Sequence, residues 1–217
     1  MKSSRPTLSK SIAANALLAA TVFMSLLTAG EAPIDATPAE AYKNSFVAEK
    51  ALDYEEAIRR LIPLKDLPQY KYAAQFRLGW LYYCTANYAN SRNAYQNALK
   101  VQPASIEARV AYLLPVLAQG SYEEAETIAK QITETDRFNY FANVRLAYAL
   151  RMQRKFAPAE KVDLQMLQYY PSDVTIMTEL GLAKLGQQQQ DPAKKIFADI
   201  LALDPDNATA KAVLAKK

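Results

Sequence analysis

The 217-residue chain has no histidine and a single cysteine, Cys84. Without imidazole the usual zinc sites, a Ser/His/Asp triad and a Cys/His nucleophile pair are all excluded. One thiol cannot close an internal disulfide, so stability has to come from packing. No metal or cofactor is expected. Glycine is scarce at five residues, and β-branched residues are sparse while alanine and leucine abound, a balance that favours helices over sheets. The expected class is all-α. Charge of one sign is also in short supply: of the formal net +4, Lys2, Arg5, Lys10 and Glu31 contribute +2, leaving +2 for all the rest. Lys and Arg are interspersed with Asp and Glu and form no basic stripe able to neutralise phosphates, so nucleic acid is not an expected partner. Carboxylates and tyrosines can do acid/base chemistry without histidine, but no convergent acidic pair is legible, and the chain reads as non-catalytic.

The first thirty residues have a different character. Lys2, Arg5 and Lys10 occur with no acid among residues 1–11, and Ile12 to Leu27 then run without a charge, which is the pattern of a basic n-region and an apolar h-region. Sixteen helical residues reach about 24 Å, short of the roughly 30 Å hydrocarbon core, which favours cleavage over permanent spanning. A cut after Ala32 would leave Pro33 at the new terminus, which signal peptidases dislike. Residues 1–32 are therefore expected to be a signal peptide or an N-terminal membrane anchor, with 12–27 as the tether in the second case. Either reading places the remainder outside the cytoplasm, in the bacterial periplasm, soluble or held at the inner membrane.

From there on the chain repeats itself. Tyr54, Tyr88, Tyr122 and Phe156 recur with a constant period of 34, and three positions after each comes a small residue: Ala57, Ser91, Ala125 and Ala159, with Ala193 continuing the column. Leu78, Leu146 and Leu180 share a second column with Asn44 and Tyr112, followed by Ser45, Gly79, Leu113, Ala147 and Gly181. Pro103, Pro171 and Pro205 stand near repeat ends, with Pro68 one residue early. These residues, and the stretch FRLGWLYYCTANYANSRNAYQNALKVQP in particular, resemble the tetratricopeptide repeat family. The resemblance implies a right-handed α-solenoid of about five helix-turn-helix repeats over a domain of residues 33–217, with units at 38–71, 72–105, 106–139, 140–173 and 174–207 and a capping helix at 208–217.

The spacing has its own physical reading. Leu78, Gly79 and Tyr82 fall on one face of a first helix and Ser91, Tyr95 and Ala98 on one face of a second, and small residues at the crossing let the axes approach closely. Thr37-Pro38-Ala39-Glu40, Asp53-Tyr54-Glu55-Glu56, Ser121-Tyr122-Glu123-Glu124 and Asp191-Pro192 read as capped helix starts. Lys216 and Lys217 suit the end of the capping helix. Pro115 inside a first helix predicts a kink. Asp163 stands where the pattern wants an apolar residue, as do Lys184 and Gln190, which makes the fifth repeat the expected weak point.

In the family's architecture the first helix of each pair lines a concave surface that commonly takes up peptides or helices. Carried over by position, the lining is Tyr42, Phe46, Phe76, Trp80, Tyr83, Val110, Leu114, Leu117, Phe141, Val144, Tyr148, Arg151 and Met152, with Cys84 among them. Each of these has core packing as its alternative role. Some family members grip the carboxylate terminus of Hsp70 or Hsp90 with lysine and asparagine; the corresponding places here hold Tyr42, Phe46, Phe76 and Trp80, so that clamp is missing. The expectation is an exported protein-interaction scaffold for an apolar or amphipathic segment of a protein or peptide partner, working in assembly or secretion of envelope components. The alternative is a self-associating homo-oligomer or anchored spacer whose groove is filled internally. Cys84 reads as a small packed side chain, with intermolecular pairing as the alternative. Asn207-Ala208-Thr209 fits a glycosylation sequon only as a common triplet, and Gln187 to Gln190 as a polar turn.

Overall fold

A computed structural model describes Asp35 and residues 37–215; the expected leader and the two terminal lysines lie outside the described residues. Among those described, eleven α-helices and no strand occur. They run in pairs: α1 (Pro38–Lys50) with α2 (Tyr54–Leu61), α3 (Lys71–Cys84) with α4 (Tyr88–Val101), α5 (Ile106–Ala118) with α6 (Tyr122–Thr135), α7 (Tyr140–Met152) with α8 (Phe156–Leu167), and α9 (Val174–Gly186) with α10 (Gln190–Leu203). A last helix, α11 (Ala208–Leu214), packs on α10. Each helix contacts the next, and α3, α5, α7 and α9 also touch one another in sequence, so these four form one continuous inner row. The odd helices up to α9 start at Pro38, Lys71, Ile106, Tyr140 and Val174.

Small residues set the spacing within a pair. A methyl group on Gly79 would lie 2.7 Å from the ring of Tyr95, and one on Gly181 2.7 Å from that of Phe197. The two contacts are the same contact three repeats apart. Both aromatic side chains are fully buried, and the Ser91 hydroxyl donates to the Gly79 carbonyl across the same crossing at 2.6 Å. Buried alanines, among them Ala57, Ala125, Ala159 and Ala193, continue the column. Between pairs the apolar residues merge into a central core that includes Leu113, Val116, Ile132, Leu146 and Leu150. The first two hairpins build a second cluster around Leu61, Leu78 and Leu81, and Phe197, Ile200 and Ala210 a third beneath α11.

The hairpin turns share one backbone conformation that the sequence does not announce. Leu52, Ala86, Gly120, Arg154 and Gln188 all have positive φ, between 56° and 72°, each at the same place in its repeat. Only one of the five is glycine, so four turns carry the steric cost of a side chain in the left-handed region.

Several local expectations need correction. Thr37 and Asp53 do cap their helices by accepting from the amides of Glu40 and Glu56 at 3.2 and 3.0 Å, but Ser121 occupies the cap position of α6 without a side-chain bond. Asp191 is not a cap either: α10 begins at Gln190, and Asp191 sits in its first turn, where a carboxylate still opposes the positive end of the helix dipole. Pro115 lies within α5, as the sequence placed it, and the helix runs on to Ala118. Pro63 ends α2 after eight residues, converting its continuation to a 3-10 turn at Ile62–Leu64. The sequon asparagine has a structural duty: Asn207 accepts from the Ala210 amide at 3.0 Å and caps α11. In the fifth repeat Lys184 is held by Glu160 at 2.5 Å and Gln189 at 2.9 Å.

Asp163 is the costly departure. It is 2% exposed in the column that Tyr95 and Phe197 occupy elsewhere, and its Oδ2 has no hydrogen-bond partner among the described residues. Burial, reinforced by Glu179, pushes its carboxyl up to about 8 against the pull of Arg151.

Two stability measurements bear on these features. Leu52→Gly relieves a left-handed side chain and should raise stability by about 0.5–1 kcal/mol in denaturant melts; a loss would contradict the turn conformation. For Asp163, both folded and unfolded chains are protonated below about pH 4. As pH rises from there to about 8 only the unfolded chain ionises, so stability falls with pH over that range. Asp163→Leu should therefore raise the thermal midpoint far more at pH 8.5 than at pH 4, and an equal gain at both would exclude a protonated buried acid.

Candidate partner-binding groove

The inner row of helices encloses a groove of about 460 Å³. Phe76 and Trp80 of α3 line one side; Ile106, Val110 and Leu114 of α5 run along it with Glu107 and Ala111; Asn139 precedes α7, whose Phe141 and Arg145 complete the wall, and Tyr95 of α4 closes the floor. Helical spacing explains why these side chains converge. Phe76 and Trp80, Val110 and Leu114, and Phe141 and Arg145 are each one i,i+4 step apart, hence neighbours on one helix face.

Aromatic contacts order the lining. Phe76 meets Tyr95 edge-on at 5.7 Å and stacks on Tyr72 at 6.1 Å. Trp80 is 39% exposed at the rim, stacks on Tyr83 at 5.9 Å and donates its indole N–H to Glu49 at 2.6 Å. Phe141 is 56% exposed, with the Arg145 guanidinium 5.3 Å from its ring centroid. Arg145 donates through Nη1 to the Val110 carbonyl at 2.6 Å. Burial pulls its guanidinium below the ordinary range; only the nearby Tyr83 and Tyr95 phenols act in the other direction. Glu107 accepts from the Tyr72 hydroxyl at 2.5 Å.

Of the thirteen residues that the sequence places inward, Phe76, Trp80, Val110, Leu114 and Phe141 meet in this groove, Val110 being largely buried beneath its surface. Tyr83 flanks it, packed against Trp80 and Tyr88. Tyr42 and Phe46 lie apart on α1. Tyr42 packs against the core of the first hairpins with its hydroxyl buried and unpartnered among the described residues, while Phe46 is covered by the Arg77 guanidinium at 3.5 Å. Leu117 packs on the central core, and Val144 is half-buried. Further along α7, Tyr148 meets Tyr122 edge-on at 6.2 Å, Arg151 is paired with Glu179, and Met152 is exposed. Cys84 is half-buried, and burial pushes its thiol up. Arg145, Glu107, Ile106, Ala111, Asn139 and Tyr95 were not among the expected lining. For Arg145 a signal existed, since it falls in the same column of the repeat as Arg77 and Glu179. Among the described residues no group of three or more acidic or cysteine side chains could hold a metal ion, and no helix is long and apolar enough to cross a membrane.

Similar solved structures share the fold. The MamA fragment 41-end from Desulfovibrio magneticus RS-1 superposes with a TM-score of 0.71 at 14% identity, covering 81% of this chain and 99% of that one. A tetratricopeptide repeat protein from Parabacteroides merdae superposes at 0.63 and 18% identity, covering 93% and 76%. The fold is that of the tetratricopeptide-repeat solenoids. At these identities the likeness concerns the fold alone. In sequence, 139 residues align at 28% identity with human protein O-mannosyl-transferase TMTC1, 61% of this chain but 16% of that protein, so the chain spans a small part of the curated relative it matches. No family model matches the chain.

Trp80 is the only tryptophan of the chain, which makes it a reporter for the groove. Acrylamide should quench its fluorescence readily in the free protein and less once the groove is filled. Equal quenching with and without a bound segment would place the occupied surface elsewhere.

Proposed function

We propose that this solenoid is a non-catalytic scaffold that seats an apolar or amphipathic segment of another protein in the groove between α3, α5 and α7. The observation that carries the reading is the pairing of half-exposed Trp80 and Phe141 across a concave, mostly apolar surface. Large aromatic anchors around a pocket are the usual source of binding energy in protein interfaces, and a concave row of helices suits a helix-in-groove or extended segment. Its weight lies in the arrangement: Trp80 is held by Glu49 and Tyr83, so little side-chain freedom remains to be lost on binding.

The basic and apolar start of the sequence supports export to the bacterial envelope, by a cleaved signal or a retained anchor. A scaffold so placed would serve the assembly or secretion of envelope components.

A photoreactive benzoylphenylalanine introduced at Phe141 should crosslink to a discrete partner in intact cells, and the same group at Lys195, on the outer face of α10, should not. Equal adducts from both positions, or none from Phe141, would remove the groove from the account. Cell fractionation and N-terminal sequencing of the same protein should find it in the periplasm or at the inner membrane; a cytoplasmic pool with an intact N-terminus would refute export.

A further inference from the structure

Two of the four junctions along the inner row carry an ion pair at one repeated position; a third has the arginine without its partner, and the fourth, Tyr83 with Ala111, has neither charge. Arg77 of α3 pairs with Glu49 of α1 at 2.9 Å. Glu179 of α9 pairs with Arg151 of α7 at 2.7 Å, across the same sequence separation. The two pairs are the same structural position in different repeats, with the charges exchanged. Arg145 of α7 occupies the column of Arg77 and Glu179, but the residue that stands where Glu49 and Arg151 stand for those two is Leu117. No carboxylate of the described residues lies within ion-pair reach of Arg145, whose one hydrogen bond goes to the Val110 carbonyl. Glu107 lines the same groove but is engaged by Tyr72.

A guanidinium has five N–H donors, and a partly buried one without a counter-charge is a poor arrangement that an incoming carboxylate corrects. Arg145 is therefore the groove's unmatched polar group, set among apolar residues from three helices. We infer that the occupant of the groove is a protein segment bearing one acidic side chain among large apolar residues, and that its carboxylate supplies the missing partner by pairing with Arg145. This rests on the groove being the binding surface. A side chain fits better than a chain terminus because apolar lining continues around the guanidinium, from Phe76 and Trp80 to Phe141, giving the segment contacts before and after its acid.

The test pans a phage-displayed library of random twelve-residue peptides against the full chain and measures the best binder, synthesised with blocked ends, by fluorescence anisotropy. Enriched sequences should share an Asp or Glu flanked by large apolar residues. Changing that acid to its amide should weaken binding about ten- to a hundredfold; Arg145→Met should cause a similar loss, and the two changes together little more than either alone. The peptide change uses the native protein, so it stays decisive if the Arg145 variant folds poorly. Binders that are lost on Trp80→Ala but carry no acid, or that ignore the acid-to-amide change, would overturn the pairing while leaving the groove intact. Enriched binders indifferent to Trp80→Ala would overturn the groove itself. Sequences with the acid only at a free C-terminus would overturn the side-chain assignment.

Discussion

The closeness of the two helices in each pair is the constraint from which the rest follows. Where Gly79 faces Tyr95 and Gly181 faces Phe197, the ring lies against bare backbone, and the Ser91 hydroxyl ties the two helices at the same level. Dispersion and apolar burial are strongest when no gap remains, so the small residue on one helix and the large one on the other act as a unit. With the hairpin so fixed, its outer surfaces still present apolar residues that only the neighbouring hairpin can cover. Stacking is the consequence, and α11 ends it by covering the last face.

Stacking also orders the inner row. Once the odd helices stand side by side, residues at equivalent places in successive repeats come within reach of each other, and the polar ones pair across the junctions. Glu49 with Arg77 and Arg151 with Glu179 are such pairs, and Trp80 uses Glu49 as well. The aromatic residues left between them cannot turn toward the core, which Leu78, Tyr95, Leu113 and Leu146 already fill. They are held at the concave surface by exclusion, and the groove is the space they border.

Asp163 shows how far this frame tolerates an offence. The repeat that carries it lacks the aromatic residue that Tyr95 and Phe197 supply in equivalent places, and the acid is buried nonetheless because its neighbours leave no other position for it. A raised proton affinity is the physical result of holding a carboxyl away from water near Glu179. The left-handed turns at Leu52, Ala86, Arg154 and Gln188 tell the same story of a local cost imposed by a repeated tertiary arrangement.

The periodic placement of small and large residues was enough, read from the sequence, to assign the class, the pairing of helices and their starts, because packing at 3.6 residues per turn leaves a trace in composition at each position. Thr37 and Asp53 were legible as caps for the same local reason, whereas Ser121 was not distinguishable from them until its hydroxyl was seen to make no such bond. The inward set was legible only by analogy of position, and the structure divided it: Phe76, Trp80, Val110, Leu114 and Phe141 came together, while Tyr42, Phe46 and Arg151 found other partners. Which side chain closes a groove depends on the neighbour that happens to stand opposite it in the preceding repeat, a relation between repeats and not within one. That Arg145 has Leu117 where two other junctions hold an opposite charge is written in the sequence, but it acquires meaning only when the helices are set side by side.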